Sequence, residues 1–452
     1  MSDTIAAVAT GAQVCAIGIV RLSGPACVAA ADRLFIPYDG RPMSSHPTRK
    51  LVYGKLRNLD GELLDLCLCT FSLAPASYTG EDTVEFQCHG SPVLLRTLME
   101  ELFKLGIRQA GRGEFTKRAF LNGRLGLTEA EAVIDVIEAE SAECVVNAAS
   151  QLDGAVSSRI ERIYSSLTDI SAHYHAVLDY PDEDIEDFVL DGYISALQSA
   201  VSDLQSLLDT FDRGSLMKDG IPAAIVGRPN AGKSSLLNSL LGYERAIVTN
   251  VPGTTRDTIE EKLRLGSLSL RLTDTAGIRE TDDAVEKLGV ERSRKAMANS
   301  RLVIVVLDGS AALTDEDTEL IRRAEQAPKA VVVISKSDLG PAVFTVDTAL
   351  PCVSVSSVTL EGISELESVI SGLFPMPEVP AGHILTNLRQ AEAVRLALES
   401  MYAALDAMAA GSTPDIVLTE TEGAMSALGE LTGRTVREDV TNRIFERFCV
   451  GK

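Results

Sequence analysis

The most constraining stretch of the chain is "AAIVGRPNAGKSSLLNSLLG", residues 223–242. It sets an apolar run, a G-x-x-x-x-G-K-S loop and a second apolar-periodic run in direct succession, which is the order strand, loop, helix. Gly227 and Gly232 let backbone N–H groups close around phosphate oxygens. Lys233 then reaches the β- and γ-phosphates, and the Ser234 hydroxyl can ligate Mg²⁺ in the first turn of the helix. Asn230, Ala231 and Ser235 complete the loop. Strands and helices alternate from about residue 218 to 376, which predicts a parallel α/β domain around this loop.

The base is read further on. "VVVISKSD" ends an apolar strand where guanine-specific GTPases have Asn-Lys-x-Asp. Asp338 would accept hydrogen bonds from guanine N1 and N2, which adenine cannot offer, and Lys336 would lie over the base. Ser335 stands in the Asn position, which shortens one contact. Ser356, Ser357 and Val358 occupy the place of the usual Ser-Ala-Lys loop. GTP is therefore expected over ATP.

Two polar segments are placed to sense the γ-phosphate. "TNVPGTTRDTIE" supplies Thr249, Asn250, Val251, Pro252, Gly253 and Thr254, and Thr255 completes the Mg²⁺ shell. "LRLTDTAGIRE" supplies Asp274, which holds Mg²⁺ through water, then Thr275, Ala276 and Gly277, whose N–H meets the γ-phosphate. Both are expected to order with GTP and relax after hydrolysis. Ile278 follows Gly277 where Ras-like enzymes carry a water-orienting Gln, so hydrolysis needs another positioning group and a positive charge at the β/γ bridge. Arg279, Arg256, Glu286 and a bound cation are the candidates, set against the plainer reading of surface charges in a switch region.

Length and composition bound the rest. The 452 residues suggest about three domains. No apolar run reaches the ~18 residues of a membrane span. "MSDTIAAVATGAQ" lacks the basic start of a secretory signal. Eight cysteines without a CxxC pair point to reduced thiols in a cytoplasmic setting. Cys67 and Cys69 in "DLCLCTF" share one strand face, and packing is preferred over metal binding there because no second pair or histidine adjoins them in sequence. A net charge of −22 repels phosphate backbones, so any RNA role needs a local basic patch or a basic partner.

Residues 1–117 are β-rich, with "AIGIVRLSG", "KLVYGKLR" and "LLDLCLCTFSL" as strands and "SPVLLRTLMEELFKLG" as a helix. Residues 118–217 turn helical, with "LTEAEAVIDVIEAESAECVVNAAS" opened by a Thr128–Glu131 capping box. "DYPDEDIEDF" reads as a solvated helix–helix connection. After the Pro-rich "FPMPEVPAGH", helical periodicity resumes over 377–452. A helical domain in two parts, with the 218–376 domain inserted, explains this layout.

"NAGKSSLLNSLLGYERAIVTNVPGTTRDTIEE" and "DTAGIRETDDAVEKLGVERS" resemble the tRNA-modifying GTPase family MnmE (TrmE). So do "DTIAAVAT", "GIVRLSGP", "SYTGEDTVEFQCHG", "GEFTKRAFLNGRLGLTEAEAVIDVI" and "FCVGK", in the family's order. The resemblance runs essentially end to end, with departures at "ATGAQVCA", at Cys88-His89-Gly90-Ser91, at "AGRGEFT" and at Gly126. It implies a multidomain fold: an α+β folate-binding domain that dimerises, an all-α helical domain, and an inserted Ras-like α/β P-loop G domain. It further implies G domains that pair face to face, with K⁺ in place of an arginine finger. Asn230, Thr249, Val251 and Thr254 would hold K⁺, Glu286 would orient water, and Arg279 would support the second switch. Arg21, Glu85, Arg124 and Lys452 would bind 5-formyl- or 5,10-methylene-tetrahydrofolate; on residues alone the two arginines read as surface groups. The implied reaction installs a carboxymethylaminomethyl or aminomethyl group at C5 of the wobble uridine of certain tRNAs. It runs jointly with the FAD-containing MnmG (GidA), in a heterotetramer or larger assembly.

Two rivals remain. A ribosome-assembly switch of the Era or Der kind predicts a basic RNA-binding domain, and the flanks show none. A folate-binding scaffold with a decayed G domain is the other. "FCVGK" resembles a prenylation box only in its cysteine, since Gly451 is not aliphatic and Lys452 is outside the usual set. The preceding "REDVTNRIFERF" is expected to turn Val440, Ile444 and Phe448 inward and deliver Cys449 to the folate region. There Cys449 is either a catalytic nucleophile or acid, or a packing residue.

Overall fold

The computed structural model describes residues 3–11, 13–179, 190–243, 261–265, 268–272, 296–375, 379–435, 438–446 and 448–451. By internal contacts the chain divides into two compact units, 1–134 with 151–200 and 396–452, and 135–150 with 201–395.

The first unit opens with a seven-stranded sheet. Its strands are β1 (Ile5–Val8), β2 (Cys15–Ser23), β3 (Phe35–Pro37), β4 (Val52–Arg57), β5 (Leu63–Ser72), β6 (Thr83–Gly90) and β7 (Arg108–Gln109), in the order β3-β4-β5-β6-β2-β1-β7. Neighbours are antiparallel apart from β1 and β7. Alternation along β6 buries Val84, Phe86 and Cys88 on one face. Helices α1 (Cys27–Leu34) and α2 (Pro92–Lys104) cover that face, and Leu34, Phe35, Leu98 and Leu102 close the core. Ser91 caps α2 by accepting from Leu94 N–H, and Pro92 takes the first helical position, where its missing N–H costs nothing.

Helix α3 (Glu114–Leu121) leads into helices over the remainder of the unit. The long helices Ala155–Asp179 and Pro414–Thr432 pack along each other, and Gly433, in the left-handed region, stops the second. The continuous helical pattern of 127–150 is two helices, Leu127–Glu138 and Ala142–Leu152. The Thr128–Glu131 capping box does not form. The helix already begins at Leu127, and Thr128 is buried, with its hydroxyl bonded to Ser157 and Glu129 rather than to a free backbone N–H. The acidic stretch 180–188 lies outside the described residues.

The last helix, Glu438–Phe445, differs from expectation in its inward face. Val440 is 38% exposed, while Thr441, Phe445 and Phe448 are buried. Phe445 and Phe448 pack with Ala130 and Val133, and Ile444 packs against them, so Ile444 and Phe448 turn inward as expected and only Val440 departs.

The second unit carries a six-stranded sheet. Its strands are β8 (Ile221–Val226), β9 (Glu261–Leu265), β10 (Leu268–Leu272), β11 (Leu302–Asp308), β12 (Ala330–Ser335) and β13 (Cys352–Ser354), in the order β13-β12-β11-β8-β10-β9. All pairs are parallel save the β9–β10 hairpin. Strands covered on both faces read as unbroken apolar runs, and "LVIVVL" and "AVVVI" do so here. Helices Lys233–Tyr243 and Ile363–Leu373 cover one face with Leu236, Leu240, Leu366 and Ile370. Helix Asp315–Ala324 covers the other with Ile321 and Ala324.

Candidate functional site

The phosphate loop joins β8 to the helix that starts at Lys233, so the helix N-terminus and its free N–H groups face the loop. The loop backbone leaves no room for side chains. A Cβ at Gly227 would lie 2.3 Å from the Val306 carbonyl oxygen. Gly232 takes φ +97°, and Asn230 itself sits in the left-handed region at +63°. Lys233 reaches back across the loop, with Nζ donating to the carbonyls of Gly227 and Arg228 at 2.7 Å each. Burial lowers its pKa, because the charge has traded water for two carbonyl dipoles. Arg228 pairs with Asp317 at 2.8 Å, and Asp317 also forms the capping box of helix Asp315–Ala324 with Thr314, so the loop is moored to a neighbouring helix.

The residues expected to read the base converge on the same loop. The Ser335 hydroxyl bridges the Ala231 carbonyl at 2.6 Å and the Leu307 carbonyl at 3.0 Å. The short side chain therefore ties the phosphate loop to the end of β12 directly. Asp338 accepts from the Ser356 hydroxyl at 2.7 Å, and the Ser356 oxygen accepts backbone N–H groups of Val358 and Thr359. One buried serine thus fixes the Asp338 carboxylate and the Ser356–Val358 turn together, while the Val358 side chain is exposed. Lys336, in the left-handed region, pairs with Asp308 at 2.5 Å. Residues Thr249–Thr255, Asp274–Gly277, Arg279 and Glu286 lie outside the described residues.

In the sheet domain of the first unit, Arg21 and Glu85 face each other across β2 and β6 and join at 2.8 Å. The Arg21 guanidinium lies 5.7 Å from the Tyr78 ring centre and 5.9 Å from that of Phe115. The stem of Arg124 lies against Gly80, two residues beyond Tyr78, so the loop 78–80 links the two arginines. Sequence reading missed what holds this loop. Arg118, nearly buried, donates to Glu81 at 2.9 Å, to Glu114 at 3.0 Å and to Asp3 at 2.7 Å, while Ser23 donates to Glu81. Burial opposes ionisation of Glu114, yet Arg108, the Gly111 N–H and Arg118 outweigh it and hold its carboxyl down to about 2. The signal was a cluster of small and acidic residues, "SYTGED", between two apolar strands.

The C-terminal tail returns to this domain. Val450 bridges to Arg112, and the Cys449 carbonyl accepts from Gly113 N–H at 3.3 Å. A Cβ at Gly451 would lie 2.4 Å from the Val8 carbonyl oxygen at the end of β1. Cys449 is exposed, and Lys452 lies outside the described residues. Among the described residues no helix is long and apolar enough to cross a membrane.

Family models match nearly the whole chain. The model for the GTP-binding protein TrmE N-terminus matches residues 4–124, and that for the MnmE helical domain matches 127–449. The "tRNA modification GTPase MnmE" of Symbiobacterium thermophilum is 41% identical over 458 residues, covering 100% of this chain and 99% of its own. That of Alkaliphilus oremlandii is 39% identical over 460 residues, with 100% of both chains covered. Among solved structures, a single-residue variant of Aquifex aeolicus Era bound to GDP.AlF4⁻ is 27% identical over 40% of this chain and 66% of its own, at a TM-score of 0.27. Full-length identity near 40% and the two family matches establish that the chain belongs to the tRNA modification GTPase MnmE (TrmE) family.

Proposed function

We propose that the chain hydrolyses GTP and couples that cycle to modification of the wobble uridine, U34, of certain tRNAs at C5, jointly with an FAD-containing partner of the MnmG kind. The observation that carries the nucleotide half is the cross-tie from Ser335 to Ala231. It ties the end of β12, which leads into Lys336 and Asp338, directly to the phosphate loop. Asp338, aligned by Ser356, selects guanine. Lys233 leaves its carbonyl partners and meets the β- and γ-phosphates, a favourable exchange because burial penalises its charge there.

Ser234 and Thr255 are the Mg²⁺ ligands of this reading. Asn230, exposed at the loop's rim, and Thr249, Val251 and Thr254 are those of K⁺. An oxygen donor at the phosphate rim fits an alkali cation, which supplies positive charge where the bridging oxygen becomes negative. Glu286 orients the attacking water, and Arg279 supports the second switch.

The Arg21–Glu85 pair beside Tyr78 fits a flat, charged cofactor: carboxylate and guanidinium on one strand pair, an aromatic wall next to them. A reduced folate bound there supplies a one-carbon unit. Arg124 and Lys452 reach its acidic tail, and Cys449 serves as nucleophile or acid. Exposed Ile36, Tyr38, Tyr53 and Leu66 on the β3–β4–β5 side of the sheet support self-association through this domain. We place the chain in the cytoplasm, where tRNA and reduced thiols coexist.

Hydrolysis rates in K⁺ and Na⁺ buffers test the first half; equal rates remove the potassium role. Analysis of U34 in tRNA from cells lacking the chain tests the second, and fully modified U34 overturns it. Cys449→Ser is expected to leave hydrolysis intact and abolish modification; survival of modification makes the thiol structural.

A further inference from the structure

The sheet of the first unit gathers donors that the nucleotide and folate readings do not use. Asp65 and Cys67 lie two apart on β5 and so share a face; Cys88 comes from β6, beside β5. One carboxylate oxygen and the two sulfurs all lie within 4.8 Å of one another. Cys67 is 5% exposed and Cys88 2%. We propose that Asp65, Cys67 and Cys88 form a binding site for a thiophilic divalent cation, Zn²⁺ in the first instance.

Three features argue for a site over simple packing. The first is fit. Zn–S bonds of ~2.3 Å define a tetrahedron with edges of roughly 3.8 Å, so the present spacing needs adjustments of only about 1 Å. The second is orientation. Asp65, its side chain only 9% exposed, has one oxygen against the His89 backbone N–H at 2.9 Å and the other against His89 Nδ1 at 2.8 Å. An outer group that grips a ligand's far side in this way fixes its direction. The third is a further thiol nearby. Cys15, exposed, pairs with Gly90, and its sulfur lies where a Gly90 Cβ would be, 2.4 Å from that point. Gly90 is two residues beyond Cys88 on the same strand, so Cys15 approaches over the face that carries Cys88.

The proposal is independent of the tRNA reading, and its test needs no GTP. Reduced full-length protein is titrated with Zn²⁺ against a chromophoric chelator, and with Co²⁺ by absorption. The expected result is one tight Zn²⁺ per chain and a thiolate-to-cobalt charge-transfer band with d–d bands of tetrahedral intensity. Cys67→Ser and Cys88→Ser should each remove the charge-transfer intensity of one sulfur and weaken Zn²⁺ at least 100-fold. Cys352→Ser, in the other unit, should change nothing. His89→Ala, at an exposed position that the fold tolerates, should weaken Zn²⁺ by roughly 10- to 100-fold. Absence of the charge-transfer band in the unsubstituted protein overturns the proposal, as does undiminished Zn²⁺ affinity in Cys67→Ser/Cys88→Ser. A Cys67–Cys88 disulfide in protein purified without reductant, found by thiol counting and unaffected by prior Zn²⁺, overturns it as well.

Discussion

The phosphate loop and the Arg21 loop, the two places proposed to hold polar ligands, are built by opposite means. The phosphate loop is built from backbone: glycines that admit no Cβ, a helix N-terminus, and a lysine resting on carbonyls. The Arg21 loop is built from side chains brought from far apart in sequence, with Asp3, Glu81, Glu114 and Arg118 joined in one charged network. A backbone site tolerates almost any neighbour but few changes within itself. A side-chain site depends on pairings, so one lost charge strands several others.

The sharpest break in this contrast is Lys233→Ala. It should lower GTP hydrolysis by about 10² to 10³-fold, the loss seen when one charged or hydrogen-bonding stabiliser of a transition state is removed. The melting temperature should stay unchanged, since among the described residues the bonds of Lys233 Nζ go to carbonyls of its own loop. Arg118→Ala should do the reverse. It leaves the partly buried Glu81 without its cation and Glu114 with Arg108 alone, and should destabilise the chain by about 3 kcal/mol in urea titrations, with hydrolysis per folded molecule unchanged. An Arg118→Ala protein as stable as the parent would show that the charged network is dispensable.

Gly227→Ala lies between the two. Its Cβ must displace the Val306 carbonyl, so a loss of roughly 1–3 kcal/mol is expected by thermal melting, together with weaker nucleotide binding. Ser335→Ala removes hydrogen bonds to two carbonyls and should cost roughly 1–2 kcal/mol, read as about tenfold weaker GTP binding by calorimetry.

The smallest effect is in pH. Glu114 has a folded pKa of about 2, below the ordinary glutamate value, so its contribution is complete above that ordinary value and fades as pH falls through the folded one. Urea midpoints measured from pH 5 down to about pH 2 should therefore fall less steeply for Glu114→Gln than for the parent. Parallel curves would remove the linkage.

The contrast also explains what was legible in the sequence. G-x-x-x-x-G-K-S needs no distant partner, so its strand, loop and helix, the parallel sheet and the need for glycine at 227 and 232 could be read locally. So could the burial of Cys67 and Cys69. What could not be read depends on registry between strands. Cys88 is 21 positions from Cys67 and lies beside it only because β5 and β6 pair in one register. Arg118 looks like any helical arginine until Asp3, Glu81 and Glu114 surround it. The last helix shows the limit on a smaller scale: Ile444 and Phe448 could be read as inward, but the burial of Phe445 in place of Val440 was decided by packing against Ala130 and Val133.

The return of the tail carries a consequence for biosynthesis. Residue 451 rests on the carbonyl of residue 8, and residue 450 bridges residue 112, so the first strand and its late partner leave the ribosome at opposite ends of translation. At roughly 5–20 residues per second, the sheet domain waits tens of seconds for the segment that closes it. During that wait its edge is an open acceptor. A chain interrupted before residue 449 would lack these contacts and leave Val8 and Arg112 without them.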